Sequence, residues 1–362
     1  MKTYNIVLLP GDGVGPEVTA VARDVLAAIG DLHDRRFAFD IHSIGGAAID
    51  ATGDPLPQRT LAACRSSDAV FLGAVGGPKW DGGAKRPEQG LLGLRKELGL
   101  FANIRPVRIY PDLIHRSPLK REFIEGVDFV VFRELTGGLY FGDRTRNEGY
   151  ASDQCVYTAG EIERIARAAF GAARARRGKV TSVDKANVLD TSRLWREVVT
   201  RVAADFPTVQ LEHQLVDSMS MQLIRQPGAY DVILTENMFG DILSDEASVL
   251  GGSIGLAPSA SLGAGGPGLF EPVHGSAPDI AGKDACNPVG AVLSAALLLR
   301  YGLRLHDEAD ALESAVERAI KHGARTKDLG GYHTCSAMGA AIIDELQDVT
   351  APRACSVQMH WG

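Results

Sequence analysis

Short apolar runs recur along this chain at intervals long enough to hold a helix between them. Residues 6–9, 69–72, 129–132, 180–183 and 232–234 are apolar and partly β-branched, as strands buried on both faces of a parallel sheet are. Between them lie amphipathic stretches of helical length. In 192–206, for instance, Leu194, Trp195, Val198, Val199, Val202 and Phe206 fall on one helical face. The alternation predicts an α/β protein, and 362 residues are enough for two domains.

Charge and cysteine usage narrow the partners. The formal net charge is −7, and the one basic block is "RARR" at 174–177. Nucleic acid is therefore not an expected partner, and the block reads as a solvated helix end capped by Gly178. Cys64, Cys155, Cys286, Cys335 and Cys355 show no CxxC spacing, so neither a zinc site nor a disulfide framework is expected, and a reducing, cytoplasmic compartment is. The first apolar run stops at Pro10, too early for a signal peptide, and no run is long enough to span a bilayer, so no membrane partner is expected. The longest run, 291–299, is broken by Ser294 and reads as a core helix opened by Asn287 and Pro288.

The stretch "LLPGDGVGPEV" at 8–18 places a strand, a glycine turn and a proline-started helix in order. Its glycines spell GxGxG, not the dinucleotide GxGxxG, so both a phosphate cradle and a simple sharp turn remain open. A second glycine- and proline-rich stretch, 251–282, is too long for a turn and is a functional-loop candidate. The segment 350–362 lacks periodicity, and the expectation is disorder or packing on a neighbouring chain.

Three sets of residues carry chemistry. Asp241 and Asp245 in "FGDILSDEAS" are four apart on a predicted helix, and Asp217 opens another; hard carboxylate oxygens of this kind suit Mg²⁺ or Mn²⁺. Aspartates at helix starts are also common caps, but Asp245 lies a turn inside. Arg95, Arg105 and Arg133 are the cationic set, and Arg133 closes a strand, where α/β proteins place ligands. Guanidinium groups pair with carboxylates, so three that converge suit a dicarboxylate; singly, each reads as a surface salt bridge. Lys185 follows a strand and Tyr140 follows Gly137 and Gly138. A lysine there, if ringed by cations, has a depressed pKa and acts as a base.

Seven motifs occur in one order: "LPGDGVGPEV", "LGAVGGPKWD", "GLLGLRKELGLFANIRP", "RELTGGLYFG", "SVDKANVL", "FGDILSDEAS" and "EPVHGSAPDIAG" followed by "NP". Together they resemble the isocitrate/isopropylmalate dehydrogenase family of metal-dependent β-decarboxylating dehydrogenases, over nearly the whole chain. The resemblance implies a two-domain fold with interleaved domains, not a Rossmann fold. Residues 1–99 with 252–362 would form the cofactor-binding domain, and 100–251 the substrate, metal and dimerisation domain. It implies NAD held by Glu271, His274, Gly275, Ser276, Ala277, Pro278, Asp279, Ile280 and Asn287, with Gly77 and Glu88 on the nicotinamide side. Asp279 accepts from a ribose 2′-hydroxyl and repels a 2′-phosphate, which favours NAD over NADP.

The implied activity is the oxidative decarboxylation of 3-isopropylmalate to 2-oxo-4-methylpentanoate and CO₂ in leucine biosynthesis. Arg95, Arg105 and Arg133 would orient the two carboxylates, and Asp217, Asp241 and Asp245 would hold Mg²⁺ or Mn²⁺. Lys185 and Tyr140 would move protons. Leu91 and Val188, beside Glu88, would form an aliphatic wall for the branched substituent, although leucines at this spacing also suit an ordinary buried helix face. The family is similar in building its sites across a two-fold interface, which implies a homodimer with Lys185 and Asp217 reaching the partner's site. Glu236 departs from the expected pattern, standing where glycine is common, and either alters metal affinity or stands by harmlessly. Two rivals stay open: a paralogue oxidising a differently substituted malate, and a non-catalytic regulatory subunit.

Overall fold

A computed structural model of the chain describes residues 2–348; the expectations for 350–362 and Cys355 lie outside them. The described residues fall into two compact units, one made of 2–100 with 252–348 and the other of 101–251.

The first unit begins β1 (Thr3–Gly11), α1 (Gly15–Leu32), β2 (Arg36–Ile41), α2 (Gly45–Thr52), α3 (Gln58–Ser66), β3 (Ala69–Ala74) and α4 (Glu88–Glu97). In the second unit β4 (Ala102–Arg108) and the single turn α5 (Arg121–Ile124) precede β5 (Asp128–Glu134) and the antiparallel ribbon of β6 (Arg144–Asn147) and β7 (Tyr150–Asp153). There follow α6 (Ala159–Arg174), β8 (Lys179–Asp184), α7 (Asp190–Ala203), β9 (Gln210–Leu215), α8 (Val216–Arg225), β10 (Val232–Thr235) and α9 (Asn237–Leu250). The chain returns to the first unit with β11 (Pro258–Leu262), β12 (Gly268–Pro272), α10 (Val289–Leu297), α11 (His306–Lys321) and α12 (Cys335–Gln347). The fold is mixed α/β, as the alternation of apolar runs predicts.

In the first unit the strands lie in the order β2-β1-β3-β12-β11, parallel except for the β11–β12 pair. Ile6, Val7, Leu8 and Leu9 are all buried, which is why that run is continuous and does not alternate. In the second unit the order is β4-β5-β10-β8-β9, with only β4 antiparallel to its neighbour. Phe129, Val131, Val183 and Ile233 share its core with Leu243, Ala247 and Leu250 of α9.

Three expectations need correction. The stretch 251–282 is not one loop, because it contains β11 and β12, whose registered residues Pro258 and Pro272 bracket the pairing of buried Ala260 with Phe270. Proline at strand ends and small residues between them conceal the strand pattern. The "RARR" block does end a helix, but α6 stops at Arg174 with Ala175 as its cap. Nor is the block simply solvated: Arg176 pairs with Asp128 and buried Asp231, and Arg177 donates to the carbonyls of Asp128 and Tyr230. Phe206 lies beyond the end of α7, stacked on Phe170 with ring centroids 5.4 Å apart.

The turn between β1 and α1 is a joint. Asp12 is buried, and its carboxylate accepts from the backbone N–H of Gly46 (2.8 Å), Ala47 (2.7 Å) and Gly76 (2.9 Å). It therefore ties the start of α2 to the loop after β3. Val14 N–H donates to the carbonyl of Ser276 at 2.8 Å. Gly13 has φ +58, and a Cβ there would lie 1.9 Å from that same oxygen, so only glycine fits.

Asp12→Ala leaves two buried N–H groups and a part-buried third without an acceptor and is expected to cost about 3 kcal/mol, read as a melting temperature several degrees lower. An unchanged melting temperature would show that the carboxylate is not the joint. Burial pushes the Cys64 thiol up to about 12. The stability it lends is present below the unfolded thiol's pKa of about 8.5 and is lost as the pH rises toward 12. At pH 8 the native Cys64 is expected to resist an aromatic disulfide reagent and to react once the chain is denatured. Peptide mapping after labelling checks this, and native labelling of Cys64 contradicts it.

Candidate active site

The second unit gathers five of the expected residues on one sheet face. On β4 and β5, Asn103 lies opposite Arg133, so Arg105, two residues along, points to the same side. Both arginines are buried, and α9 packs against them. Arg105 donates from Nη1 to Ser244 Oγ (2.8 Å) and Asp245 Oδ1 (3.0 Å), and from Nε to Asn103 Oδ1 (2.8 Å). Arg133 donates from Nη1 to Asp241 Oδ1, and from Nε and Nη2 to Asn237 Oδ1 at 3.0 and 2.8 Å. The Tyr140 hydroxyl donates to Asp241 Oδ2 at 3.0 Å, and the Arg133 guanidinium lies over the Tyr140 ring. Burial and the adjacent Asp241 hold the Tyr140 phenol above its usual range.

Asp241 and Asp245 lie within α9, and neither caps it. Glu236 caps α9, with its side chain accepting from Phe239 N–H at 2.6 Å. Burial pushes its carboxyl up. Glu236 thus has a role in the fold that its charge alone did not disclose.

Lys185 follows β8, and its Nζ donates to Asp217 Oδ1 of α8 at 2.6 Å. The lysine meets a carboxylate where cations were expected, and Lys185 holds the exposed Asp217 carboxyl below its usual range. The three aspartates do not meet in one chain. Among the described residues, no three or more His, Cys, Asp or Glu come close enough together to hold a metal ion. Val188 is exposed in the turn after Lys185.

In the first unit Arg95 and Leu91 lie on α4, which Glu88 opens. Arg95 Nη2 donates to Glu271 Oε1 of β12 at 2.8 Å, with both side chains buried. Its Nε is buried and has no hydrogen-bond partner among the described residues. Leu91 is half-buried against the core of this unit, so part of its surface serves packing. Gly76 and Gly77 carry the turn out of β3, and Glu88 Oε1 would lie 2.8 Å from a Cβ at Gly76.

The remaining expected residues follow β12. His274 Nδ1 lies 2.9 Å from the carbonyl of Gly275, so its N–H donates there and Nε2 is left as a buried acceptor with no partner among the described residues. Burial pushes its pKa down, which keeps the ring neutral at neutral pH. Ser276 is fixed by Val14, Ala277 sits at φ +39 and accepts from Ile280 N–H at 3.1 Å, and Pro278 and Asp279 are exposed. Asn287 Oδ1 accepts from the N–H of Val289, the first residue of α10, while its Nδ2 donates to Asp328.

Sequence reasoning missed Asp12, Asn103, Asn237, Ser244 and Asp328, which hold these groups in place. Asp12 had a signal, an acid embedded in a glycine turn. The others are unremarkable until the fold brings them to an arginine or a loop.

A sequence profile of the isocitrate/isopropylmalate dehydrogenase family matches residues 5–342. The 3-isopropylmalate dehydrogenase of Geobacillus kaustophilus is 59% identical over 336 residues, covering 91% of this chain and 91% of that one. The enzyme of the same description from Bacillus subtilis is 58% identical over 350 residues, covering 94% and 96%. Among solved structures, isocitrate dehydrogenase from Methylococcus capsulatus is 37% identical with a TM-score of 0.87, covering 95% of this chain and 100% of that one. A β-decarboxylating dehydrogenase from Thermococcus kodakarensis is 40% identical with a TM-score of 0.80, covering 95% and 96%. With a profile matched over almost its full length and relatives this similar, the chain belongs to the isocitrate/isopropylmalate dehydrogenase family of decarboxylating dehydrogenases.

Proposed function

We propose that the chain oxidatively decarboxylates 3-isopropylmalate with NAD⁺ and a divalent metal, yielding 2-oxo-4-methylpentanoate and CO₂ in leucine biosynthesis. The observation that carries this reading is the set of Arg105, Arg133 and Tyr140 fixed against Asp241 and Asp245 on one sheet face. Residues 1–99 with 252–362 serve the cofactor, and 100–251 serve substrate, metal and dimerisation.

The residues present fit both absent groups. Asp241 and Asp245 offer partly exposed carboxylate oxygens, the donor chemistry of Mg²⁺ or Mn²⁺, and Asp217 of a second copy completes the set. His274 Nε2 is a buried acceptor awaiting a donor, and the exposed Asp279 carboxylate suits a ribose diol over a 2′-phosphate. When bound, the nicotinamide supplies a hydride acceptor and the metal supplies charge that stabilises developing oxyanions. Arg105 and Arg133 orient the malate carboxylates by paired hydrogen bonds. Lys185 takes the hydroxyl proton at C2, and Tyr140, whose phenol stays protonated, delivers a proton to carbon after CO₂ leaves. Leu91 and Val188 supply the aliphatic wall.

The outer faces of α8 and α9 support a second copy of the chain as partner. Asp217, Met221 and Ile224 are spaced i, i+4, i+7 on α8, and Ile242, Asp245 and Val249 are spaced i, i+3, i+7 on α9. The four apolar members are exposed. Each helix therefore presents one stripe in which a metal-binding aspartate sits among apolar side chains. A two-fold partner buries these stripes and brings α8 of one copy to α9 of the other.

Purified protein with Mg²⁺ or Mn²⁺ is expected to form NADH and CO₂ in equal amounts from 3-isopropylmalate and NAD⁺. Isocitrate, tartrate, an aryl-substituted malate and NADP⁺ are expected to perform poorly. A better rate on another malate moves the substrate, and no turnover of any overturns the reading. Ile242→Glu, which charges the α9 stripe at an exposed position, is expected to shift the protein from dimer to monomer in analytical ultracentrifugation and to abolish turnover. A fully active monomer would refute the shared site.

A further inference from the structure

Beneath Arg133 and Tyr140 lies a buried polar cluster that the proposed chemistry does not use. Asn237 is 1% exposed and is the first residue of α9. Its Oδ1 accepts from both Nε and Nη2 of Arg133, and its Nδ2 donates to the carbonyl of Gly137 at 3.2 Å. These contacts fix the orientation of the amide, oxygen toward the guanidinium and nitrogen toward the carbonyl. The backbone N–H of Asn237 donates to the Tyr157 hydroxyl at 2.9 Å, and that hydroxyl donates to Glu236 Oε2 at 3.2 Å.

Tyr157 also supports the turn that carries Tyr140. A Cβ at Gly137 would lie 2.5 Å from the Tyr157 ring, and one at Gly138 would lie 2.6 Å from its hydroxyl. Gly138 N–H donates to the carbonyl of Val156 at 2.9 Å, and Tyr140 ends the short helical turn that Gly138 begins. Edge-on contact with Trp195 holds the Tyr157 ring. The Asn237 amide thus touches both the guanidinium and the glycine turn, and the Tyr157 phenol touches the turn and the Asn237 backbone.

We propose that Asn237, seated by Tyr157 and Glu236, is the positioning residue that sets Arg133 and Tyr140 in a single geometry, coupling carboxylate orientation to proton delivery. The inference rests on the assignment of Arg133 and Tyr140 to the malate. Asp241, the other partner of both groups, is a proposed metal ligand whose interactions change with loading. Asn237 itself is assigned to neither metal nor substrate, and it holds Arg133 through Nε and Nη2, whereas Asp241 meets Nη1. Arg133 and the turn therefore keep a common reference through the catalytic cycle.

Three variants test it: Asn237→Ala, Asn237→Asp and Tyr157→Phe, each measured with wild type for kcat, KM for 3-isopropylmalate, KM for NAD⁺ and melting temperature. Asn237→Ala frees both arms and is expected to lower kcat roughly 100-fold and raise the malate KM about tenfold. Asn237→Asp keeps an acceptor for Arg133 and loses the donor to Gly137, so kcat falls about tenfold while the malate KM stays within about threefold. Tyr157→Phe retains the ring, and its loss also falls mainly on kcat. In all three the NAD⁺ KM stays within about twofold, because the expected cofactor residues lie in the other unit. Variants that lose melting temperature while keeping kcat and the malate KM, or that lose affinity for malate and NAD⁺ alike, show a purely structural role and overturn the inference. A wild type that turns over no malate removes the functional reading itself, whereas an active wild type with unaffected variants removes only this inference.

Discussion

A guanidinium cannot shed its charge inside a protein, so Arg133, only 2% exposed, must have its donors met wherever the fold places it. That requirement organises the second unit. Nε and Nη2 need an acceptor at the end of β5, which puts Asn237 at the first position of α9. Nη1 needs a carboxylate, which puts Asp241 one turn further along the same helix. With α9 in that register, Asp245 reaches Arg105 and Ser248 lies next to the buried apolar face. Glu236 then has to begin the helix from a buried position, where its carboxyl caps Phe239 N–H and accepts from Tyr157. A functional arrangement of charges and an ordinary helix start are the same set of bonds.

The first unit turns on a different carboxylate. Asp12 is held by three backbone N–H groups from the start of α2 and the turn after β3, while its neighbour Val14 fixes Ser276. The glycines around Asp12 let these segments approach closely, and the acid binds them. This explains why a motif so close to a dinucleotide fingerprint contacts protein backbone through Asp12, the charged side chain inside its glycine turn. The loops it organises are the ones assigned to NAD under the proposed function, so the turn serves the cofactor by holding other segments in place.

Strands and helices were legible wherever burial was two-sided or the amphipathic period was clean, as at Ile6 to Leu9 and along α7. β11 and β12 were not, because β11 reads Pro-Ser-Ala-Ser-Leu and β12 offers only Leu269 and Phe270 as an apolar run between Gly268 and Glu271. Arg105, Arg133, Tyr140, Asp241 and Asp245 could be named from the chain, and the fold brings them together. The neighbour of Lys185 could not be named, since Asp217 is 32 residues away and reaches it only through the β8–β9 pairing and the start of α8. Asn237 and Tyr157 were silent for a similar reason. An amide and a phenol carry no chemical signature in a sequence, and their importance arises from bonds to groups on other elements.

Charge balance explains why the proposed substrate and metal belong together. Arg105 and Arg133 bring two positive charges, and Asp241 and Asp245 bring two negative ones, so the cluster as folded is formally neutral. Partial burial lifts the carboxyl of Asp245 above its usual range, against the pull of Arg105. Seating a dicarboxylate against the arginines draws them from the aspartates and adds two negative charges. A divalent cation supplies the missing two. The dianion alone leaves excess negative charge at the partly exposed carboxylates, and the cation alone leaves excess positive charge beside two buried guanidinium groups. Only the pair restores neutrality, and Tyr140, which stays protonated beside Asp241, adds nothing to the count.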